Sequence, residues 1–339
     1  MKDQFGREIN YMRVSVTDRC NLRCIYCMPE EGIPCVSHKD ILSYDEIARI
    51  CRIGAQLGIS RIKLTGGEPL VRRGLPELVG MLKKISGVEQ VTLTTNGILL
   101  KEHIKEMVSN GLDAVNISID TLDPGQYRRI TRRGELQEAL GGLDAALAYP
   151  SLKVKVNCVP LKEMPREIYV QLAAMAVDRE MDVRFIEMMP IGLGKNFSGM
   201  SGQEIYDELR KKFGEAVPCT GRYGNGPAVY VRFPGFRGKI GFIDAVTHQF
   251  CSLCSRVRLT SEGRLKLCLQ YDCGADLKEL LRSGADDEVI RQTMRKSICE
   301  KPACHQFSRN CADPDRALKD ESAKYEEKLE TRDMSQIGG

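Results

Sequence analysis

Six short runs rich in Val, Ile and Thr, alternating with helical patterns, constrain this chain more than any other feature. They are "MRVSV" (12–16), "RIKLT" (61–65), "QVTLTT" (90–95), "AVNISID" (114–120), "KVKVNCV" (153–159) and "DVRFIEM" (182–188). Each is too short for a buried helix and has the β-branched content of a strand. Between them, Ser43 and Glu46 form a capping box ahead of Ile47, Ile50 and Leu57, which predicts the first helix. Further helical patterns cover 75–85, 101–109, 135–148 and 165–179. Strand–helix units repeated in this way imply an α/β fold with a parallel, barrel-like sheet and right-handed crossovers.

The polar oddities fall in one place. "TDRC", "TGGEP", "TTNG", "SIDTLD", "NCVP" and "EMMP" sit at or just after the C-terminal ends of the expected strands. That face carries the active site in barrel-like β/α folds. After about residue 200 the pattern changes. Ser201 caps one more helix, to about Phe213, and turn-rich β-like sequence follows. "RVRLTSEGRLKLCL" then reads as a hairpin turning at Ser261–Gly263. Two short helices are expected at 276–283 and 285–300. From Ala312 the chain is charged, poor in apolar residues and expected to be mobile. The expected divisions are therefore 1–235, 236–311 and a tail at 312–339.

Bulk composition narrows the function classes. The 50 Lys and Arg against 46 Asp and Glu leave a net charge of +4, too small to argue for nucleic acid. There is no Trp to interleave with a basic stripe. No apolar run is long enough for a membrane span and the first ten residues lack a signal-peptide core, so a cytoplasmic protein is expected. In that compartment 14 cysteines read as ligands or buried thiols rather than disulfides.

Cys20, Cys24 and Cys27 have the spacing C-x3-C-x2-C, with no second C-x2-C pair nearby to complete a structural zinc site. Three thiolates suit a [4Fe–4S] cluster that keeps one iron open. Cys251, Cys254 and Cys268 have the spacing C-x2-C-x13-C, and the expected hairpin returns the third to the first two. This second triad fits either a zinc site completed by His248 or Cys273 or a second three-thiolate cluster. Arg256 and Arg258 alternate on one arm of the hairpin and so share a face, as a phosphate clamp requires.

C-x3-C-x-aromatic-C, with Tyr26 before the last cysteine, resembles the radical S-adenosylmethionine (SAM) superfamily. "TGGEP" resembles its second motif, where glycine backbone at Gly66 and Gly67 lies against the methionine end of SAM. Ser118 in "NISID" and Met189 in "EMMP" match further SAM-contacting positions. The two triads, "LTGGEPLVRR", "RFIEMMP", "GFIDAVTHQFCSLCSRVRLT" and a terminal "IGG" together resemble the GTP 3′,8-cyclase family of molybdenum cofactor biosynthesis over essentially the whole chain.

That resemblance implies an incomplete TIM-like (β/α)6 barrel with a hairpin and helical extension carrying a second [4Fe–4S] cluster. It implies SAM bound by Tyr26, Gly67, Ser118 and Met189. GTP would be held by Arg13, Lys63, Thr94, Lys155, Arg184, Arg256 and Arg258, with its guanine on the open iron of the second cluster. A 5′-deoxyadenosyl radical takes hydrogen from ribose C3′, and the carbon radical adds to guanine C8. Gly338 and Gly339 are implied in catalysis. The implied partners are an electron donor, a downstream pterin-forming protein and a second copy of the chain, with no nucleic acid and no membrane. Lys63 stands where the family commonly has arginine, which keeps the charge and loses the bidentate fork. Cysteines 35, 51, 158, 219, 273, 299, 304 and 311 match no motif. The rival readings are a peptide-maturation radical SAM enzyme and a zinc-dependent nucleic-acid-binding module.

Overall fold

The computed structural model describes residues 1–34, 36–221, 223–307 and 329–338. Its first half follows the expected alternation. Strands β1 (Tyr11–Ser15), β2 (Arg61–Thr65), β3 (Gln90–Thr95), β4 (Ala114–Ser118), β5 (Lys153–Cys158) and β6 (Asp182–Ile186) pair in parallel and in chain order. Helices α1 (Tyr44–Gln56), α2 (Leu75–Lys83), α3 (Leu100–Ser109), α4 (Pro124–Thr131), α5 (Leu136–Leu147), α6 (Glu167–Asp178) and α7 (Gly202–Phe213) intervene or follow. The Ser43–Glu46 capping box is present, and Ser201 with Glu204 forms a second one at the start of α7.

One helix was not expected. α4 lies inside the loop after β4, where Asp123 accepts a hydrogen bond from the Gln126 amide and Pro124 occupies the first turn. Those are standard helix-start residues.

The later segment does not form a separate layer. After β7 (Val217–Pro218) and β8 (Val229–Arg232), β9 (Ile240–Ile243) pairs in parallel with β6. The expected hairpin is β10 (Arg256–Leu259) and β11 (Arg264–Lys266), and β10 pairs in parallel with β1 at the opposite edge. β12 (Gly274–Asp276), α8 (Leu277–Arg282) and α9 (Asp287–Cys299) follow. Among the described residues the result is one sheet of twelve strands, with both edges of the β1–β6 core extended by the segment after residue 217.

The two faces of this sheet differ chemically. Met12, Val14, Ile62, Leu64, Val91, Leu93, Val115, Ile117, Val154, Val156, Val183 and Phe185 are buried in the apolar core. Parallel strands covered on both faces usually read as continuous apolar runs. Here the alternate positions, including Arg13, Lys63, Thr94, Asn116, Lys155, Asn157 and Arg184, are polar and line one cavity of about 1540 Å³. Polar alternation along a parallel sheet therefore marks a face turned towards a site.

Candidate active site

The loop after β1 carries the first triad. Backbone packing shapes it, and Arg23 and Arg132 brace it through the carbonyls of Cys20 and Met28. Gly67 N–H donates to the Thr17 carbonyl at 2.9 Å, and Glu68 N–H donates to the Arg19 carbonyl at 2.8 Å. A Cβ on Gly66 would lie 2.5 Å from the Thr17 oxygen, and one on Gly67 2.5 Å from the Arg19 oxygen. The two glycines thus allow the β2 loop to pack onto the cysteine loop. Both glycines also line the cavity.

Cys20, Cys24 and Cys27 all line the cavity. Burial pushes the Cys20 thiol up to about 11 and Cys27 up to about 12, and Cys20 adds to the rise at Cys27. Cys24 is raised further, first by burial and then by Cys27 and Asp120. Such thiols stay protonated in water at neutral pH, and coordination to a metal is the standard way to make them thiolates. Tyr26 donates to Asp120 Oδ2 at 2.6 Å, and Asp120 Oδ1 accepts the Val159 amide at 2.8 Å. This ties the triad to the ends of β4 and β5. Ser118 and Met189 line the same cavity.

Cys251, Cys254 and Cys268 line the cavity as well. This second triad is held by cations. Arg7, paired with Asp3 at 2.6 Å in full burial, donates to the carbonyls of Cys251 (3.0 Å), Ala303 (2.7 Å) and Pro302 (2.7 Å). Lys301 donates to the Leu267 carbonyl. The His305 amide reaches the Cys251 sulfur at 3.5 Å. Burial alone would raise the Cys254 thiol, but Lys301, Arg256 and Arg7 outweigh it and bring the value down to about 6. Burial instead dominates at Cys251, which is pushed up to about 12.

The possible zinc-completing residues do not join this triad. His248 is exposed and faces Asp244 at 3.9 Å, and Cys273 is buried outside the cavity lining. Among the described residues no three His, Cys, Asp or Glu side chains converge closely enough to hold one metal ion. Cys304, which no motif singled out, lines the cavity beside the second triad. Arg7 and Lys301 were missed too, because their partners are backbone carbonyls far away in sequence.

Cations fill the wall between the triads. Arg13, Lys63, Arg184, Arg256 and Arg258 line the cavity from β1, β2, β6 and β10. Register places Arg13 beside both Arg258 and Lys63. Lys63 is held well below the usual lysine value, first by burial and then by Arg184, Arg13, Lys155 and Arg256. Arg258 is lowered by burial and then by Arg13 and Arg256. No ion pair joins Lys63, Arg184, Arg256 or Arg258 to a carboxylate of a described residue. Arg184 donates to Asn157 Oδ1 at 2.9 and 2.6 Å, and Arg256 lies over the Phe250 ring at 4.7 Å. Thr94 accepts from Asn116 at 3.3 Å.

Lys155 differs from this group. Its ammonium donates to Asp182 (2.7 Å), the Tyr223 carbonyl (2.8 Å) and the Tyr230 hydroxyl (2.9 Å), so all three donors are taken and the charge is paired. It acts as a tie within the wall and we leave it out of the anion site.

Residues 312–328 of the tail expected to be mobile lie outside the described residues; in 329–338, Ser335 and Ile337 are buried and Met334 and Ser335 line the cavity. The Gly338 carbonyl accepts a hydrogen bond from Arg258, and Gly338 has φ +74° against Ser15 and Thr65. Gly339, Cys35 and Cys311 lie outside the described residues.

A parallel sheet whose polar face carries a three-cysteine loop after its first strand defines the class, the radical SAM superfamily. The sequence profile described as "Radical SAM superfamily" matches residues 14–176, and that described as "Molybdenum Cofactor Synthesis C" matches 181–307. A GTP 3′,8-cyclase of Clostridium perfringens (strain 13 / Type A) is 43% identical over 318 residues, covering 93% of this chain and 98% of that one. A GTP 3′,8-cyclase of Petrotoga mobilis is 40% identical over 100% of both. The chain belongs to the GTP 3′,8-cyclase family. Among solved structures, Streptococcus suis SuiB bound to its precursor peptide SuiA gives a TM-score of 0.60 at 13% identity, covering 88% of this chain and 66% of that one. SuiB bound to S-adenosylmethionine gives 0.56 at 13% identity over 77% and 58%. At such identity these two show the fold alone. No helix among the described residues is long and apolar enough to cross a membrane.

Proposed function

We propose that this chain converts GTP to (8S)-3′,8-cyclo-7,8-dihydroguanosine 5′-triphosphate, the first step of molybdenum cofactor biosynthesis, in the cytosol. One observation carries the reading: Lys63, Arg184, Arg256 and Arg258, unpaired with any described carboxylate, line a cavity between two thiol triads. A triphosphate carries about four negative charges, and cations crowded together without acids are what such an anion needs. The cavity exceeds the roughly 300–1,000 Å³ of a pocket for one small ligand, which accords with more than one bound group.

The donor sets fit the cofactors. Three half-buried thiols per triad suit two [4Fe–4S] clusters, with Cys20, Cys24 and Cys27 holding one and Cys251, Cys254 and Cys268 the other. The chemistry these groups supply when bound is one-electron cleavage of SAM at the first site and ligation of the guanine at the second. The chain's own residues orient the reactants. Tyr26, Gly67, Ser118 and Met189 surround the SAM position, while Arg13, Lys63, Thr94, Arg184, Arg256 and Arg258 hold the nucleotide with ribose C3′ towards the first triad. Fixing that geometry matters because a primary radical reacts with whatever is nearest. Gly338 brings the chain to Arg258 without a side chain, and a catalytic part for Gly338 and Gly339 belongs to the same proposal.

The architecture in this reading is an incomplete (β/α)6 barrel over residues 1–235, a cluster-binding region over 236–311 and the tail from 312. Asn225 in the β7–β8 loop donates to Gln90 at the start of β3 at 2.7 Å, as expected if the sheet curls round on itself. An external electron donor, a pterin-forming partner protein and a homodimer belong to the same proposal. The test is anaerobic incubation of the reconstituted protein with SAM, GTP and dithionite. A GTP isomer separable by chromatography should accumulate with 5′-deoxyadenosine; SAM cleavage that ignores GTP would point to another radical SAM reaction.

A further inference from the structure

One stretch of chain runs from the segment after β11, which carries Cys268, to the cavity that both triads line. Residues 329–338 begin against the end of the β10–β11 hairpin. Leu329 bridges Tyr271, and Glu330 N–H donates to the Gln270 carbonyl at 2.7 Å. The Glu330 carboxylate meets the Lys266 ammonium in a pair that is buried on both sides, and Lys266 also donates to the Tyr271 carbonyl at 2.9 Å. Arg332 closes the group: its Nε lies 2.9 Å from Glu330 and its Nη2 3.0 Å from Asp272, which Arg264 also holds at 2.9 Å.

Downstream of these charges Ser335 and Ile337 are buried, and the Asp333 amide donates to Gln336 Oε1 at 3.0 Å. Gly192 lacks a Cβ where one would come within 2.6 Å of the Asp333 carboxylate. Met334 and Ser335 line the cavity that Cys20, Cys24 and Cys27 also line. Arg258 donates to the Gly338 carbonyl. Gly338 lies only eight positions beyond Glu330, so an error in where Glu330 sits is carried along the tail to Gly338.

We propose that Lys266, Asp272, Glu330 and Arg332 form an ionic latch that sets the register of the C-terminal tail, bringing Met334 and Ser335 to the cavity that the first triad lines and the Gly338 carbonyl to Arg258. This rests on the proposed function for the meaning of those two placements, while the latch itself is a statement about the tail's position. The four are positioning residues, since none is placed in contact with substrate or SAM. A buried pair that loses one partner leaves the other charge without compensation in the interior, so the latch is all-or-none in character.

The test uses the full-length, cluster-loaded protein under anaerobic conditions. Glu330→Gln and Arg332→Gln are compared with wild type by hydrogen–deuterium exchange over 331–338, and by cyclisation of GTP with and without a peptide of residues 329–339. Both variants should raise exchange over 331–338 at least about tenfold. Both should lower kcat for cyclisation by a similar factor, with the KM for SAM unchanged. The wild-type peptide should restore activity in part, a peptide bearing Glu330→Gln should not, and Arg332→Lys should recover most of the loss. If Glu330→Gln also loosens the hairpin by stranding Lys266, Arg332→Gln decides, because Arg332 is a quarter exposed. Unchanged exchange in Arg332→Gln overturns the latch. Raised exchange with normal cyclisation upholds the latch and removes the tail from the reaction. Wild-type protein that never cyclises GTP refutes the proposed function, and exchange still decides the latch.

Discussion

The two cysteine triads solve the same problem by opposite means. The first lies within eight consecutive residues and is shaped by backbone packing, with Gly66 and Gly67 pressed against Thr17, Asp18 and Arg19. Its thiols are surrounded by low-dielectric protein and by one another, and all three are raised. The second is discontinuous, and long-range cations hold it: Arg7 from the N-terminus and Lys301 from beyond α9. There Cys254 is lowered, not raised. A site shaped by backbone is sensitive to a single added carbon, whereas one held by charge is sensitive to a lost cation.

The largest effect should come from the backbone-shaped site. Gly67→Ala places a methyl 2.5 Å from one carbonyl oxygen and 2.6 Å from another, neither of which can move cheaply. Overpacking of this kind typically costs about 1–3 kcal/mol or more. SAM cleavage should vanish and iron content fall by about half, with the second cluster retained. Equal loss of both clusters would break the distinction between the sites.

Arg7→Ala is the mirror experiment. It removes the donor to the carbonyls of Cys251, Lys301, Pro302 and Ala303 and leaves Asp3 buried without its partner, a loss of about 3–5 kcal/mol for a buried pair. The second cluster should be lost or labile by electron paramagnetic resonance, while SAM binding persists. Loss of SAM binding first would mean that Arg7 supports the whole sheet edge.

Arg256→Ala sharpens the comparison at the substrate. A missing charge-assisted contact to phosphate costs roughly 1.5–3 kcal/mol, or about 10- to 150-fold in GTP affinity. SAM affinity should hardly move; equal weakening of both ligands would indicate a collapsed hairpin.

The smallest effect is a pH dependence. Lys63 in the free site has a depressed pKa, and a bound triphosphate favours its charged form, so binding takes up a proton once the free lysine has begun to lose its own. GTP affinity should therefore fall as pH rises through the free-state pKa, at most tenfold per pH unit. Lys63→Arg should flatten that slope, since arginine stays charged. A slope unchanged in Lys63→Arg would assign the titration elsewhere.

What was legible in the sequence follows the same division. β2 and β3 run over the residues their β-branched runs predicted, and both capping boxes formed, because these signals are local. The first triad was legible for the same reason. The polar alternation in "RIKLT" and "KVKVN" also indicated which side chains face the cavity. It could not show that Lys155 stands directly across from Asp182, since that pairing depends on the register of β5 with β6. The parallel docking of β10 on β1 and the reach of Arg7 to residues 251 and 302–303 are likewise non-local. The helix at 124–131 was a different kind of miss. Its Asp-Pro start was present in "SIDTLDPG" and was read as loop.

The central claim is that a radical made at the backbone-shaped triad acts on a nucleotide held at the charge-shaped one. Incubation with SAM, dithionite and GTP deuterated at ribose C3′ tests it most directly. The account predicts that the 5′-deoxyadenosine formed carries the deuterium, and that Arg256→Ala lowers this transfer at limiting GTP without preventing SAM cleavage. Unlabelled 5′-deoxyadenosine accompanied by GTP that keeps its deuterium would contradict it.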